Sequence, residues 1–151
     1  MNTINLFKFN VKEEDRNIIL IMNEISQKTD IIFALYTNTY ELTKINKRFS
    51  ILPTYMAKYS KNTTLCWDMM SIDMVINFPA PKKIVYLLQN IPWTNNTNIH
   101  YSAWNRVFEH NRLNLITTSK EHKEILELTW LKNSIKTENT EELANAISKF
   151  I

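Results

Sequence analysis

The side chains of this sequence best placed to meet a ligand are amides and hydroxyls that follow short apolar runs. Thr37 and Asn38 follow IIFALY, Gln89 and Asn90 follow IVYLL, and Thr118 ends NLITT with Ser119 next. Gln89 and Asn90 cannot act as a general base at neutral pH, so their chemistry is hydrogen bonding. Ser119 adds the amino end of a helix, whose free N–H groups and partial positive charge favour an anion or a hydroxyl oxygen. Trp93 lies just beyond Asn90 and offers a ring face for stacking, although rim packing is the commoner use of such a residue. Thr37, Asn38 and Thr39 also fit ordinary turn and cap chemistry.

Other chemistries have little to build on. His100, His110 and His122 form no HExxH or HxH, and with Cys66 as the single cysteine no zinc set is expected. Cys66 stands in the apolar run TTLCW and reads as a buried structural thiol rather than a nucleophile. The chain has no glycine, which rules out a P-loop, a dinucleotide GxGxxG and a GxSxG elbow. Asparagine is expected to take over glycine's part in turns, because it tolerates the left-handed region better than most residues. No cofactor is implied.

The 151 residues make one domain, and 44% hydrophobic content argues for an ordered globule. The net charge of +3 is scattered; Lys44, Lys47 and Arg48 come nearest to a patch and read as a solvated face, so a nucleic-acid partner is not expected. A single cysteine allows no intrachain disulfide and fits the cytoplasm, and no apolar stretch nears the roughly 20 residues of a membrane span. Asn, Ile and Lys together make about a third of the chain, a bias that fits an AT-rich coding sequence such as a phage carries.

The elements that must position these residues centre on Ile84–Leu88 (IVYLL), a run with no polar face and so a strand covered on both sides, as in a parallel sheet. Residues 4–11 read as a first strand. Residues 12–29 read as a helix presenting Ile18, Ile19, Ile21, Met22 and Ile25, and residues 31–36 as a second strand, a βαβ opening. A short helix is expected over 40–46 and a strand over 49–52, stopped by Pro53; 54–60 stay open. Residues 63–67 form a further strand, after which Asp68 caps a helix carrying Met69, Ile72, Val75 and Ile76; a strand over 74–78 is the rival reading. A polar loop after Trp93 leads to a helix with Tyr101, Trp104, Val107 and Phe108, then a strand over 114–118. Ser119 caps a helix whose apolar side is Ile125, Leu126, Leu128 and Trp130. A strand over 133–137 and a helix from Thr140 close the chain, with Leu143, Ala146, Ile147 and Phe150 inward. The sum is an α/β, Rossmann-like three-layer domain with a mainly parallel sheet. Its strand exits are expected to gather Thr37, Asn38, Gln89, Asn90, Trp93, Thr118 and Ser119 on one edge.

The series TTLCWDMMSIDMVINFPAPKKIVYLLQNIPW, then a Tyr/Trp helix, then LNLITTSKEHKEIL, resembles the amino-terminal domain of GT-B glycosyltransferases, particularly small phage-type members, over about half the chain. In that family a strand with a short polar motif at its end is followed by one ending in Thr-Ser or Val-Ser, whose serine opens a helix, here Ser119. Two departures stand out. Gln89 and Asn90 occupy the place where the family often carries an acid or a histidine. The donor sugar is held mainly in a second, carboxyl-terminal domain, for which residues 1–151 leave no room. The resemblance implies a half-enzyme that recognises an acceptor or a partner at the carboxyl edge, is inactive alone, and needs a protein partner with a nucleotide-sugar-binding domain. The reading from another class is a non-catalytic accessory or inhibitor module that binds protein. A polar cleft converging on Asn38, Gln89, Asn90 and Ser119 would favour the first; an exposed apolar patch without an enclosed pocket would favour the second.

Overall fold

Seven strands join in one sheet, and every neighbouring pair runs parallel. The structure, a computed structural model, describes residues 2–89 and 101–151. In chain order the elements are β1 (Asn2–Phe7), β2 (Asn10–Val11), α1 (Arg16–Lys28), β3 (Ile31–Tyr36), β4 (Thr39–Tyr40), β5 (Ser50–Leu52), β6 (Thr64–Cys66), α2 (Met69–Val75), β7 (Ile84–Leu88), α3 (Tyr101–Phe108), β8 (Leu113–Thr117), α4 (Lys120–Trp130), β9 (Ser134–Lys136) and α5 (Thr140–Ser148). Short 3-10 turns cover Glu13–Asp15 and Thr54–Tyr59.

The sheet order is β5-β3-β1-β6-β7-β8-β9. From β1 the chain steps outward to β3 and β5, then crosses back to β6 and steps outward the other way. With right-handed crossovers, this reversal puts successive connections on opposite faces of the sheet. The core shows it. On one face Ile4, Leu6, Phe33, Leu65, Val85, Leu87 and Ile116 pack with α1 and α5. On the other, Phe7, Cys66, Ile84, Tyr86, Leu88 and Leu115 pack with α2, α3 and Leu126 of α4. All five residues of β7 are buried, as a strand without a polar face requires. The domain is thus a Rossmann-like three-layer α/β fold.

Several local expectations are corrected. Residues 4–11 are not one strand: β1 stops at Phe7, and β2 pairs instead with β4 in a separate two-stranded ribbon. No helix forms over 40–46. Lys44 has a φ of 59°, which a helix does not accept, and Leu42 and Phe49 are buried in the α1 face of the core. The side chain of Asn23 on α1 holds the end of that strap, donating to Asn46 O at 3.2 Å and accepting from Arg48 N at 3.1 Å. Leu128 is not on the inward side of α4; it is 83% exposed, and Leu126 is the buried residue of that helix. Nor does asparagine stand in for glycine in the left-handed region: among the described residues the positive-φ positions are Lys44 and Leu131. The rival strand over 74–78 is not formed, because Asp68 caps α2 by accepting from Ser71 N at 3.0 Å.

Candidate functional site at the carboxyl edge

A doubly wound sheet opens a crevice where its winding reverses, between the carboxyl ends of β1 and β6. Here those ends deliver Lys8 and Phe9 from one strand, and Trp67 and Asp68 from the other. Asp15, in the turn that starts α1, reaches the same place. Lys8 Nζ lies 3.5 Å from Asp15 Oδ1 and 3.3 Å from Asp68 Oδ2, and the indole N–H of Trp67 donates to Asp15 Oδ1 at 2.7 Å. Asp15 Oδ2 accepts from Lys12 N at 2.9 Å. The backbone N–H of Phe9 donates to the Ser71 hydroxyl at 3.3 Å, tying the first turn of α2 to the exit of β1.

This network is shielded unevenly. Asp15 is 4% exposed and Lys8 13%, whereas Asp68 is 26% exposed. One cation facing two carboxylates leaves the crevice slightly negative. Beneath it, burial pushes the Cys66 thiol well above its usual value, and the neighbouring Asp68 carboxylate adds to the effect. Cys66 therefore stays a neutral, enclosed thiol and not a nucleophile. Burial likewise raises the Tyr86 phenol, with Asp68 second in effect. Asp68 Oδ1 accepts from Ser71 N, and Oδ2 faces Lys8 at 3.3 Å as an ion pair without a hydrogen bond of its own.

The same geometry argues against phosphate. A dinucleotide site needs free backbone N–H groups in a tight glycine turn after the first strand. Between β1 and α1 four of those groups are committed: Lys8 N to Tyr36 O, Phe9 N to Ser71 Oγ, Lys12 N to Asp15 Oδ2, and Asp15 N to Lys12 O. The buried Asp15 carboxylate at the start of α1 opposes an anion further.

The residues picked out from sequence flank this centre. Thr37 is buried, its hydroxyl donating to Phe9 O and Thr39 O, while Asn38 is exposed and its backbone N–H is fixed on Phe9 O at 2.8 Å. Gln89 leaves β7 exposed; Thr118 follows β8, also exposed; Ser119 Oγ caps α4 by accepting from His122 N at 3.5 Å. All sit at the carboxyl ends of parallel strands. However, β3 and β8 are four places apart in the sheet, about 19 Å at usual strand spacing, so Asn38 lies on one flank and Gln89, Thr118 and Ser119 on the other. Asn90 and Trp93 lie outside the described residues. Lys8, Asp15, Trp67 and Ser71, which fill the middle, were not singled out from sequence. The available signal was the pair of charged residues, Lys8 and Asp68, just past two apolar runs.

Among the described residues no group of three or more His, Cys, Asp or Glu side chains could hold a metal ion, and no helix is long and apolar enough to cross a membrane. Fold and site define a doubly wound parallel α/β domain whose switch point carries an ion network in place of a phosphate-binding turn. No protein family, curated protein or solved structure matches the chain.

Proposed function

We propose that the domain is a cytoplasmic, GT-B-like acceptor half. It recognises a neutral, polyhydroxylated acceptor at the carboxyl edge of its sheet and depends on a partner for the nucleotide-sugar site. The observation that carries this reading is the switch point itself: the N–H groups of Lys8, Phe9, Lys12 and Asp15 are committed and the Asp15 carboxylate is buried, which disfavours a nucleotide phosphate there. Asn38, Gln89 and Thr118 are exposed hydrogen-bonding groups without charge at this edge, beside the charged Lys12, Glu13 and Glu14 of the β1–α1 turn. Asn90, Trp93 and Ser119 complete the proposed set. Asp68 is held by Ser71 N and Lys8, and transfer is assigned to the partner. A glycan array probed with the purified protein tests this. Retained glycans that are lost in Gln89→Ala and in the Asn90→Ala/Trp93→Ala double variant, at unchanged melting temperature, support it. Transfer from a nucleotide sugar by the chain alone contradicts it.

A second reading, a non-catalytic module that binds protein, is favoured by one observation. Leu128 and Leu131 at the end of α4 are 83% and 88% exposed, a pairing that ordinary surface chemistry does not need. If Leu128→Lys with Leu131→Lys abolishes a partner's binding while the glycan array stays blank, this second reading replaces the first.

A further inference from the structure

At the opposite, amino-terminal edge of the sheet, the residues entering β1, β6 and β7 line a pocket of about 280 Å³. Its position is set by the ladders. Thr64 is in register with Ile84 on one side and Asn5 on the other, and the backbone bonds continue outward, Asn5 N to Thr63 O at 2.9 Å and Thr64 N to Lys83 O at 3.1 Å. The Thr63 hydroxyl donates to Phe150 O, which closes the wall toward the end of α5. Lys83 therefore starts from backbone tied to the sheet, Lys82 and Lys61 lie just before β7 and β6, and all three border this one volume.

Basic side chains without an acidic partner among the described residues occur elsewhere, Lys12, Lys44 and Lys149 among them, but here three border one volume that no Asp or Glu lines. Lys8, Arg16, Lys28, Arg106, Lys120, Lys123 and Lys136 each have an acidic partner. Lys61, Lys82 and Lys83 have none among the described residues, and no Asp or Glu side chain lines the pocket. Three lysines bordering one small space, with no acidic side chain in its lining, favour the entry of an anion. Each offers three donors and no acceptor, while Thr3 and Asn62 add neutral donors. The volume is just under the roughly 300–1,000 Å³ of sites that enclose a whole small molecule, so it suits a single group. The geometry points to a binding site for a tetrahedral oxyanion, the phosphate or sulfate group of a small ligand, held by Lys61, Lys82 and Lys83 at the amino edge. This site is separate from the carboxyl edge and does not depend on the function proposed for it.

Titration of the full chain with inorganic pyrophosphate and with sulfate, followed by calorimetry and amide chemical shifts, tests the assignment. Saturable binding is expected, with shifts at Thr3, Asn62, Thr63 and Lys82. The Lys61→Gln/Lys82→Gln/Lys83→Gln variant, altered only at exposed positions, is expected to melt like the parent and bind at least about tenfold more weakly. In a protein ending at Ile151 the terminal carboxylate is the competing anion, so a form extended at that end is expected to bind no less tightly. Equal binding by the triple variant overturns the site. So does competition by chloride, at matched ionic strength, as strong as that by sulfate. Binding of a single-stranded oligonucleotide through these lysines without any binding of pyrophosphate also overturns it, in favour of a nucleic-acid surface.

Discussion

Replacing Leu131 by glycine is expected to stabilise the domain, although glycine usually weakens a folded protein. Helix α4 ends at Trp130, and Leu131 takes the left-handed conformation at φ 52°, its N–H donating back to Leu126 O. That cap position is normally filled by glycine, and a chain without glycine must place a Cβ there. The steric cost for an L-residue is roughly 1–2 kcal/mol. Against it stands the greater freedom of unfolded glycine, about 0.4–1 kcal/mol. With Leu131 88% exposed, little burial is lost. The net is a gain of about 0.5–1 kcal/mol, or a rise in midpoint of about 1–4 °C for a domain of this size. Urea and thermal unfolding of Leu131→Gly, beside Leu131→Ala, measure it, because alanine removes the same exposed side chain but keeps the Cβ. If glycine is no more stable than alanine, the left-handed cap is not a source of strain.

Three further outcomes follow from the packing. Val85→Asp places an unpaired charge on β7, where Val85 is buried, and is expected to abolish cooperative unfolding; a soluble variant with a sharp melt would contradict the central-strand placement. Lys8→Met leaves Asp15 and Asp68 without their shared cation and is expected to cost about 3 kcal/mol, part of it recovered in Lys8→Met/Asp15→Asn; no loss in the single variant would show the network to be energetically idle. Burial, with Arg112 and Lys132 close by, holds the His110 imidazole below its ordinary value of 6.5, and its Nδ1 accepts from Arg112 N. The unfolded chain then takes up a proton that the folded one refuses. Stability is therefore expected to fall as pH drops through about 6.5 and to level off below the folded value, a step that His110→Gln removes in pH-dependent unfolding.

Sequence pattern disclosed the sheet better than the site, for physical reasons. Ile84–Leu88 is legible because burial on both faces is written as an unbroken apolar run. The helix after Asp68 is legible because its cap is local. Residues 40–46 deceive because what fixes them is Asn23, a side chain on another element that satisfies the strap's backbone. Leu128 deceives because helical period alone does not say where a helix leaves its support. Lys8 was hidden inside an apparent strand, since INLFKFNV alternates loosely across the point where β1 ends and the ribbon with β4 begins. Its partners Asp15 and Asp68 meet it only through the reversal of winding, a property of strand order that no short motif records.

The central claim, that the carboxyl edge takes a neutral polyhydroxylated ligand and refuses nucleotide phosphate, is tested most directly by amide chemical-shift mapping. The protein, labelled with nitrogen-15, is titrated with a panel of oligosaccharides and separately with nucleotide sugars. A saccharide is expected to shift Phe9, Asn38, Asp68, Ser71, Gln89 and Thr118, while the nucleotide sugars leave them in place. Nucleotide sugars shifting these amides, or saccharides leaving all of them unmoved, would contradict it.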